Sequence, residues 1–151
     1  MSQHENSNRG QVMAKSTNLN FTQEINVLGK RLTSTDTTTF VTLYTATTDD
    51  AVVKSITVTT TDTSAVNLKV AISDGTTDFL LGTVRVALAS GTDGAVASVD
   101  ILGSSLLPGL PRDLNNRTIL PLKNGHILKV GCLATMTAAR QTDVIAVVEE
   151  Y

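Results

Sequence analysis

Between residues 65 and 73 the chain reads AVNLKVAIS, and this alternation constrains the fold more than any other feature of the sequence. Val66, Leu68, Val70 and Ile72 fall on one side, and Asn67, Lys69 and Ser73 on the other. A period of two marks a strand with one buried face, because successive side chains of an extended backbone point in opposite directions. Asp74-Gly75 follows at once, a dipeptide that tolerates positive φ in a tight hairpin turn. The return segment TDFLLGTVRVAL places Leu80, Val84, Val86 and Leu88 inward and Thr83 and Arg85 outward, which completes a predicted hairpin.

The same reading predicts strands near 24–32, 38–46, 51–61, 65–73, 78–88, 95–103, 117–121, 125–134 and 142–150. Turn signals separate them at Asp49-Asp50, Asp62, Asp74-Gly75, Gly91 to Gly94, Asn124-Gly125 and Arg140-Gln141. The threonine-rich tract from 33 to 63 suits this pattern, since a β-branched side chain favours extended backbone while its hydroxyl keeps one face wettable. TMTAARQT, the one helical candidate, is short and threonine-flanked and reads as a turn. Short strands at this spacing describe an all-β chain, an antiparallel β-sandwich that is jelly-roll-like.

At 151 residues the chain is expected to hold one folded domain, residues 21–151, large enough to bury a core without staples. Residues 1–20, MSQHENSNRGQVMAKSTNLN, are polar and have little to bury, so they are expected to form an extended N-terminal arm. Met13-Ala14-Lys15 is an alternative start, which would make residues 1–12 a vector-derived leader or the result of a misassigned start. The single cysteine, Cys132, stands among Leu128, Val130 and Leu133 and reads as a small buried hydrophobe.

Charge and aromatic content argue against several partners. The formal charge is −2, the twelve lysines and arginines are scattered, and aromatics make up 3% of the residues. Nucleic-acid binders need a basic patch with stacking rings, and sugar-binding modules need exposed aromatic platforms. Neither nucleic acid nor a membrane is an expected partner, since no apolar run approaches the roughly 18 residues of a spanning helix. The N-terminus has no apolar signal region, so synthesis in a host cytoplasm is expected.

The sequence carries no recognisable catalytic constellation. Nucleophilic catalysis needs a base beside a serine or cysteine, and the two histidines, His4 and His126, fall in the polar arm and on a predicted strand. A structural zinc site needs about four Cys or His ligands, more than the chain has. Asp74, Asp78 and Asp93 are the residues that a divalent cation would use, but hydrogen bonding within turns accounts for aspartates there. Asp49-Asp50 and Glu149-Glu150 read as solvated charge, and GTDG at 91–94 opens no helix that would cradle phosphate. The expectation is a non-enzymatic protein without cofactor or metal.

One segment breaks the alternation. GSSLLPGLPRDLNNR, residues 103–117, holds prolines that exclude a central strand and leucines at 106, 107, 110 and 114 that are too apolar for an idle loop. It reads either as a long crossover packing on the domain's own open end or as an interface with another subunit.

TLYTATTDDAVVKSITVTTTDTSAVNLKVAISDG and ILPLKNGHILKVGCLATMTAARQTDVIAVVEEY, within about 40–88 and 119–151, resemble a module of tailed-bacteriophage virion proteins. The shared pattern is Leu-Tyr-Thr, a short turn, a Val-Val-Lys-Ser-Ile strand, a polar turn and an alternating strand ending in Asp-Gly, then two closing strands. Many members carry Asn at the turn where this chain has TTTDTS. Among such proteins, a polar arm on one compact domain is most similar to a capsid decoration, or cement, protein. That resemblance implies a virion structural protein on the capsid exterior, with the major capsid protein and further copies of itself, as dimer or trimer, for partners. It places Leu106, Leu107, Leu110 and Arg112 in one interface and Asn18, Asn20 and Phe21 in another. The alternative is a neck, tail or fibre module, adhesive towards a host surface.

Overall fold

Residues 51–60 show how the sequence makes its sheets. In AVVKSITVTT, Ala51, Val53, Ile56, Val58 and Thr60 are buried and the residues between them are not. Val53 and Ile56 are three apart, so strict alternation would turn one of them outward. A bulge at Lys54 resolves the conflict: pairing with the strand of residues 141–150 runs from Val53↔Val148 directly to Ser55↔Val147. The extra residue keeps both apolar side chains inward.

The structure, a computed structural model, describes residues 22, 24–36, 38–103 and 107–151. Its strands are β1 (Glu24–Thr33), β2 (Val41–Thr45), β3 (Ala51–Thr60), β4 (Val66–Ser73), β5 (Asp78–Val86), β6 (Val99–Asp100), β7 (Leu120–Leu122), β8 (Ile127–Cys132) and β9 (Gln141–Glu150), with a 3-10 turn at Ser34–Asp36. They form two antiparallel sheets. One has the order β1-β9-β3-β6, with β7 also paired to β3, and the other β2-β8-β4-β5. The chain changes sheet at every connection except β4 to β5 and β6 to β7.

The sheets enclose one apolar core. Val53, Ile56, Val58, Val144, Ala146 and Val148 meet Leu68, Val70, Val84, Val86, Leu128 and Val130, all fully buried. Burying a side chain of this size contributes about 1.5–3 kcal/mol, and this layer is the main source of stability. Cys132 is buried in the same core, and desolvation pushes its thiol pKa up, which keeps it protonated and unreactive. The Tyr44 hydroxyl donates to Glu150 and ties β2 to β9 across the sandwich. Burial, and then that bond and charge, raise the tyrosine pKa.

Several sequence expectations are corrected in detail. The β4–β5 connection has four residues, 74–77, between the paired Ser73 and Asp78, although Gly75 does take positive φ, at 96°. Leu80 and Leu88 were expected inward and are exposed. A bulge at Leu81 moves the register from Val70↔Gly82 to Ala71↔Leu80, which turns Leu80 outward, and Leu88 lies beyond the end of β5. Leu133 is exposed just past β8. The strands expected at 95–103 and 117–121 shrink to β6 and β7, because together they are one edge strand interrupted by residues 101–119.

At the far end of β3, Asp62 closes the sandwich. It is buried, and its carboxylate accepts from the Ser64 N–H and hydroxyl, both at 3.1 Å, and from the Thr137 N–H at 2.9 Å and hydroxyl at 2.7 Å. Its own carbonyl accepts from the Ala89 N–H at 3.1 Å, so one residue joins three loops. Burial alone would raise its pKa, but the bonds from Thr137 and Ser64 outweigh it and hold the group at about 2.

Candidate assembly surface

The interrupted edge strand creates the most distinctive surface of the molecule. β6 pairs with Thr57 and Val58, and β7 with Ala51 to Val53, so the crossover leaves the sheet at the level of the Lys54 bulge. Its second half turns back on itself as a small hairpin. Arg112 bridges Thr118, the Asp113 N–H donates to the Arg117 carbonyl at 2.9 Å, and the Ile119 N–H to the Pro111 carbonyl at 3.0 Å. The Asp113 carboxylate caps the turn by accepting from the N–H groups of Asn115 and Arg117, both at 2.9 Å. Asn116 supplies the left-handed residue, φ 61°, a conformation that asparagine tolerates better than most. The product is a small projecting turn with Leu114 fully exposed on it.

The turn is tied to the sheet by Lys54, whose Nζ lies 3.5 Å from both Asp113 and Glu149. Tyr151 donates to the same Glu149 at 2.7 Å. The Asp113 pKa is lowered, first by the Arg117 N–H, and also by Lys54. Between crossover and sheet lies a cleft of about 740 Å³ whose polar wall includes Lys54, Asp100, Arg112, Asn116 and Arg117.

The residues singled out from the sequence divide as follows. Leu107 is buried in the sandwich's own core and Leu110 packs half-buried against it. Arg112 is exposed, and its guanidinium donates to the Asn116 side chain at 3.0 Å. Leu107, Leu110 and Arg112 all line the cleft. Asn18, Asn20, Phe21 and Leu106 lie outside the described residues.

Other exposed apolar side chains escaped the reading of the sequence as surface features. On the first sheet Ile25, Val27 and Ile145 are exposed, and at the hairpin end of β5 so are Phe79 and Leu80. A signal for the first group exists. EINVLGKRL carries apolar residues in both phases of the alternation, so a strand with one face in the core must present some of them outward.

The aspartates considered for a cation are engaged in local bonds. Asp74 accepts from the N–H groups of Thr76 and Thr77 at 2.9 and 2.8 Å, Asp78 pairs with Lys129 at 2.7 Å, and Asp93 accepts from Ala95 and Val96 at 2.9 and 3.0 Å. Among the described residues no three His, Cys, Asp or Glu side chains gather where they could hold a metal. No helix among them is long and apolar enough to cross a membrane.

Neither a family model nor a curated protein matches the chain. Two solved structures are similar to it, both described as a pentameric capsid protein isolated from metagenomic phage sequences. One shares 17% identity with a TM-score of 0.39, over 93% of this chain and 71% of the other. The second shares 17% identity with a TM-score of 0.38, over 83% of this chain and 60% of the other.

Proposed function

We propose that the protein is a non-enzymatic structural subunit of a phage virion, a decoration protein that binds the capsid exterior and stabilises the shell. The observation that carries this reading is the crossover's projecting turn, where a well-hydrogen-bonded loop holds Leu114 in solvent. A leucine held fully in solvent on an ordered turn suits a contact with another chain. The virion setting rests on the resemblance of residues 40–88 and 119–151 to phage structural modules, and the alternation of strands between two sheets supports a jelly-roll reading of the sandwich.

In this reading the major capsid protein is the partner, with Leu110, Arg112 and Leu114 at the contact, Leu106 assigned to it from the sequence, and Leu107 anchoring the crossover in the core. The sandwich of residues 21–151 binds as a homo-oligomer, so several modest contacts act together and later ones become intramolecular. The arm of residues 1–20 reaches a neighbouring subunit and is ordered there, with Asn18, Asn20 and the adjoining Phe21 in that interface. No nucleic acid, membrane or cofactor takes part.

Immunogold electron microscopy on virions, with antibody against the purified domain, tests the reading. Label spread evenly over heads is the expected result. Label confined to the tail, neck or tip would replace it with the adhesive or neck alternative, and particles without label would remove the virion assignment.

A further inference from the structure

Three of the four sheet edges are blunted. β2 is five residues long and bulges at Leu43, β5 bulges at Leu81, and the crossover interrupts the edge made by β6 and β7. β1 is different. It runs ten residues in unbroken register with β9, holds no proline, and has no strand on its other side among the described residues. Alternate backbone N–H and C=O groups along it are left to solvent, a template for a further strand.

The charges of β1 also lack opposite partners. Glu24 lies in register with Glu150, a like charge, and Lys30 with buried, apolar Val144. Both are exposed, and neither makes an ion pair among the described residues. They share the phase of β1 that sends Leu28 and Leu32 to the core. The other phase presents Ile25 and Val27, 61% and 69% exposed, and then Gly29. A Cβ added to Gly29 would meet nothing within 4 Å, and a hollow of about 350 Å³ opens there.

We propose that β1 pairs antiparallel with β1 of a second copy, in the register centred on Val27, so that the two β1-β9-β3-β6 sheets become one continuous sheet across a two-fold axis. A two-fold axis perpendicular to the sheet keeps both sandwiches on the same side of it, and opposed residues then face the same way. In this register Glu24 meets Lys30 of the second copy, and Lys30 meets its Glu24, so the unpaired charges are satisfied at both ends of the interface. Ile25 lies over Gly29 of the second copy and fills its hollow, Val27 meets Val27, and Asn26 falls beside Leu28, whose side chain is already packed on its own core. Registers centred on Asn26 or Leu28 set Glu24 against a leucine instead. The residues that precede β1 match its charges less well when they fold back on it. A two-residue turn at Thr22-Gln23 opposes Lys15 to Lys30, and a three-residue turn at 21–23 opposes Asn20 to Glu24 and Ala14 to Lys30. The inference rests on the homo-oligomer of the proposed function and names a surface through which it forms.

The test uses the full-length chain in solution, without capsid, so its outcome is separate from that of virion binding. Val27→Cys, at the two-fold axis, is expected to give a disulfide-linked dimer on mild oxidation with buried Cys132 left in place, since opposed residues of antiparallel strands lie about 4.5–5.5 Å apart. Gly29→Cys stands four residues, about 14 Å, from its own counterpart and is expected not to cross-link. Glu24→Lys and Lys30→Glu, each alone, are expected to weaken self-association by about tenfold in sedimentation velocity, with unchanged circular dichroism. An equimolar mixture of the two variants should regain it, because only the mixed pair brings opposite charges together at both ends. A V27C chain that does not cross-link, a G29C chain that cross-links equally well, or a mixture that associates no better than its components would each overturn the proposal. So would a native chain that stays monomeric, which would leave the edge to another occupant, the chain's own N-terminal segment included.

Discussion

Asp62 and Asp113 are both loop carboxylates that hold distant parts of the chain together, and they do so by different physics. Asp62 is buried and balanced by two N–H groups and two hydroxyls, all neutral. Asp113 is half-buried, and two N–H groups cap its turn while Lys54 reaches it from 3.5 Å. A buried carboxylate without its donors is expensive, so the loops around Asp62 form or fail together. A partly solvated ion pair at 3.5 Å contributes less than such a buried clasp and lets its loop respond to a neighbour. One end of the sandwich is locked, and the crossover is held just firmly enough to present a shape.

The largest effect should come from breaking the lock. Asp62→Ala leaves the Thr137 and Ser64 donors unpaired and is expected to lose about 3 kcal/mol or more in urea unfolding at neutral pH. Asp62→Asn, which keeps an acceptor oxygen, should lose less. The pH dependence follows from a folded pKa of about 2, below the roughly 3.9 of an unfolded aspartate. The charge-dependent stabilisation is complete above about pH 4 and disappears as pH falls through about 2. The gap between the native chain and D62N should therefore narrow across that window, and a gap independent of pH would mean that the carboxylate charge is not what the clasp uses.

Next comes the crossover's anchor. Leu107→Ala removes a buried leucine and is expected to cost about 2–4 kcal/mol. If the two regions are independent, hydrogen exchange in this variant will speed up at residues 107–122 and leave the loops at Asp62 protected. Faster exchange at Thr137 and Ala89 as well would show that the crossover and the clasp open together, and the contrast would fail.

Lys54→Ala should do less, changing stability by about 0.5 kcal/mol, because its partners at Asp113 and Glu149 are partly solvated. The difference from the native chain should vanish in about 1 M salt, where screening removes the pair. A loss above about 2 kcal/mol would assign Lys54 a structural role comparable to that of Asp62.

How far the sequence foretold this contrast depends on what set each feature. β4 and the core half of β5 were legible because their alternation is a property of the strand itself, and Val66, Leu68, Val70, Val84 and Val86 are all buried as the pattern requires. Leu80 was misread because the bulge at Leu81 exists only as a relation between two strands. The clasp was equally hidden. Asp62 looked like a turn aspartate, and nothing local announces that Thr137, 75 residues away, will supply half its donors. The crossover stood out through its prolines and leucines, but which leucine would be buried depended on how the crossover packs against the sandwich. The reading of Asn18, Asn20 and Phe21 falls outside the described residues.

The smallest effect on stability is expected at Leu114, and it sharpens the contrast most. Its side chain is fully exposed, so Leu114→Asp leaves the core untouched and should alter unfolding by no more than about 0.5 kcal/mol. The turn beneath it keeps the Asp113 cap and the Arg112–Thr118 bridge, so the backbone shape is retained. If the crossover is the contact with the shell, the same substitution places a charge where an apolar side chain is desolvated and should weaken binding to capsids by at least about tenfold. Cosedimentation with capsids, beside a urea titration of the free protein, separates the two quantities. Binding that survives L114D would mean that the projecting turn is not the contact, and would leave the apolar residues of β1 and β5 as the surfaces through which the sandwich assembles.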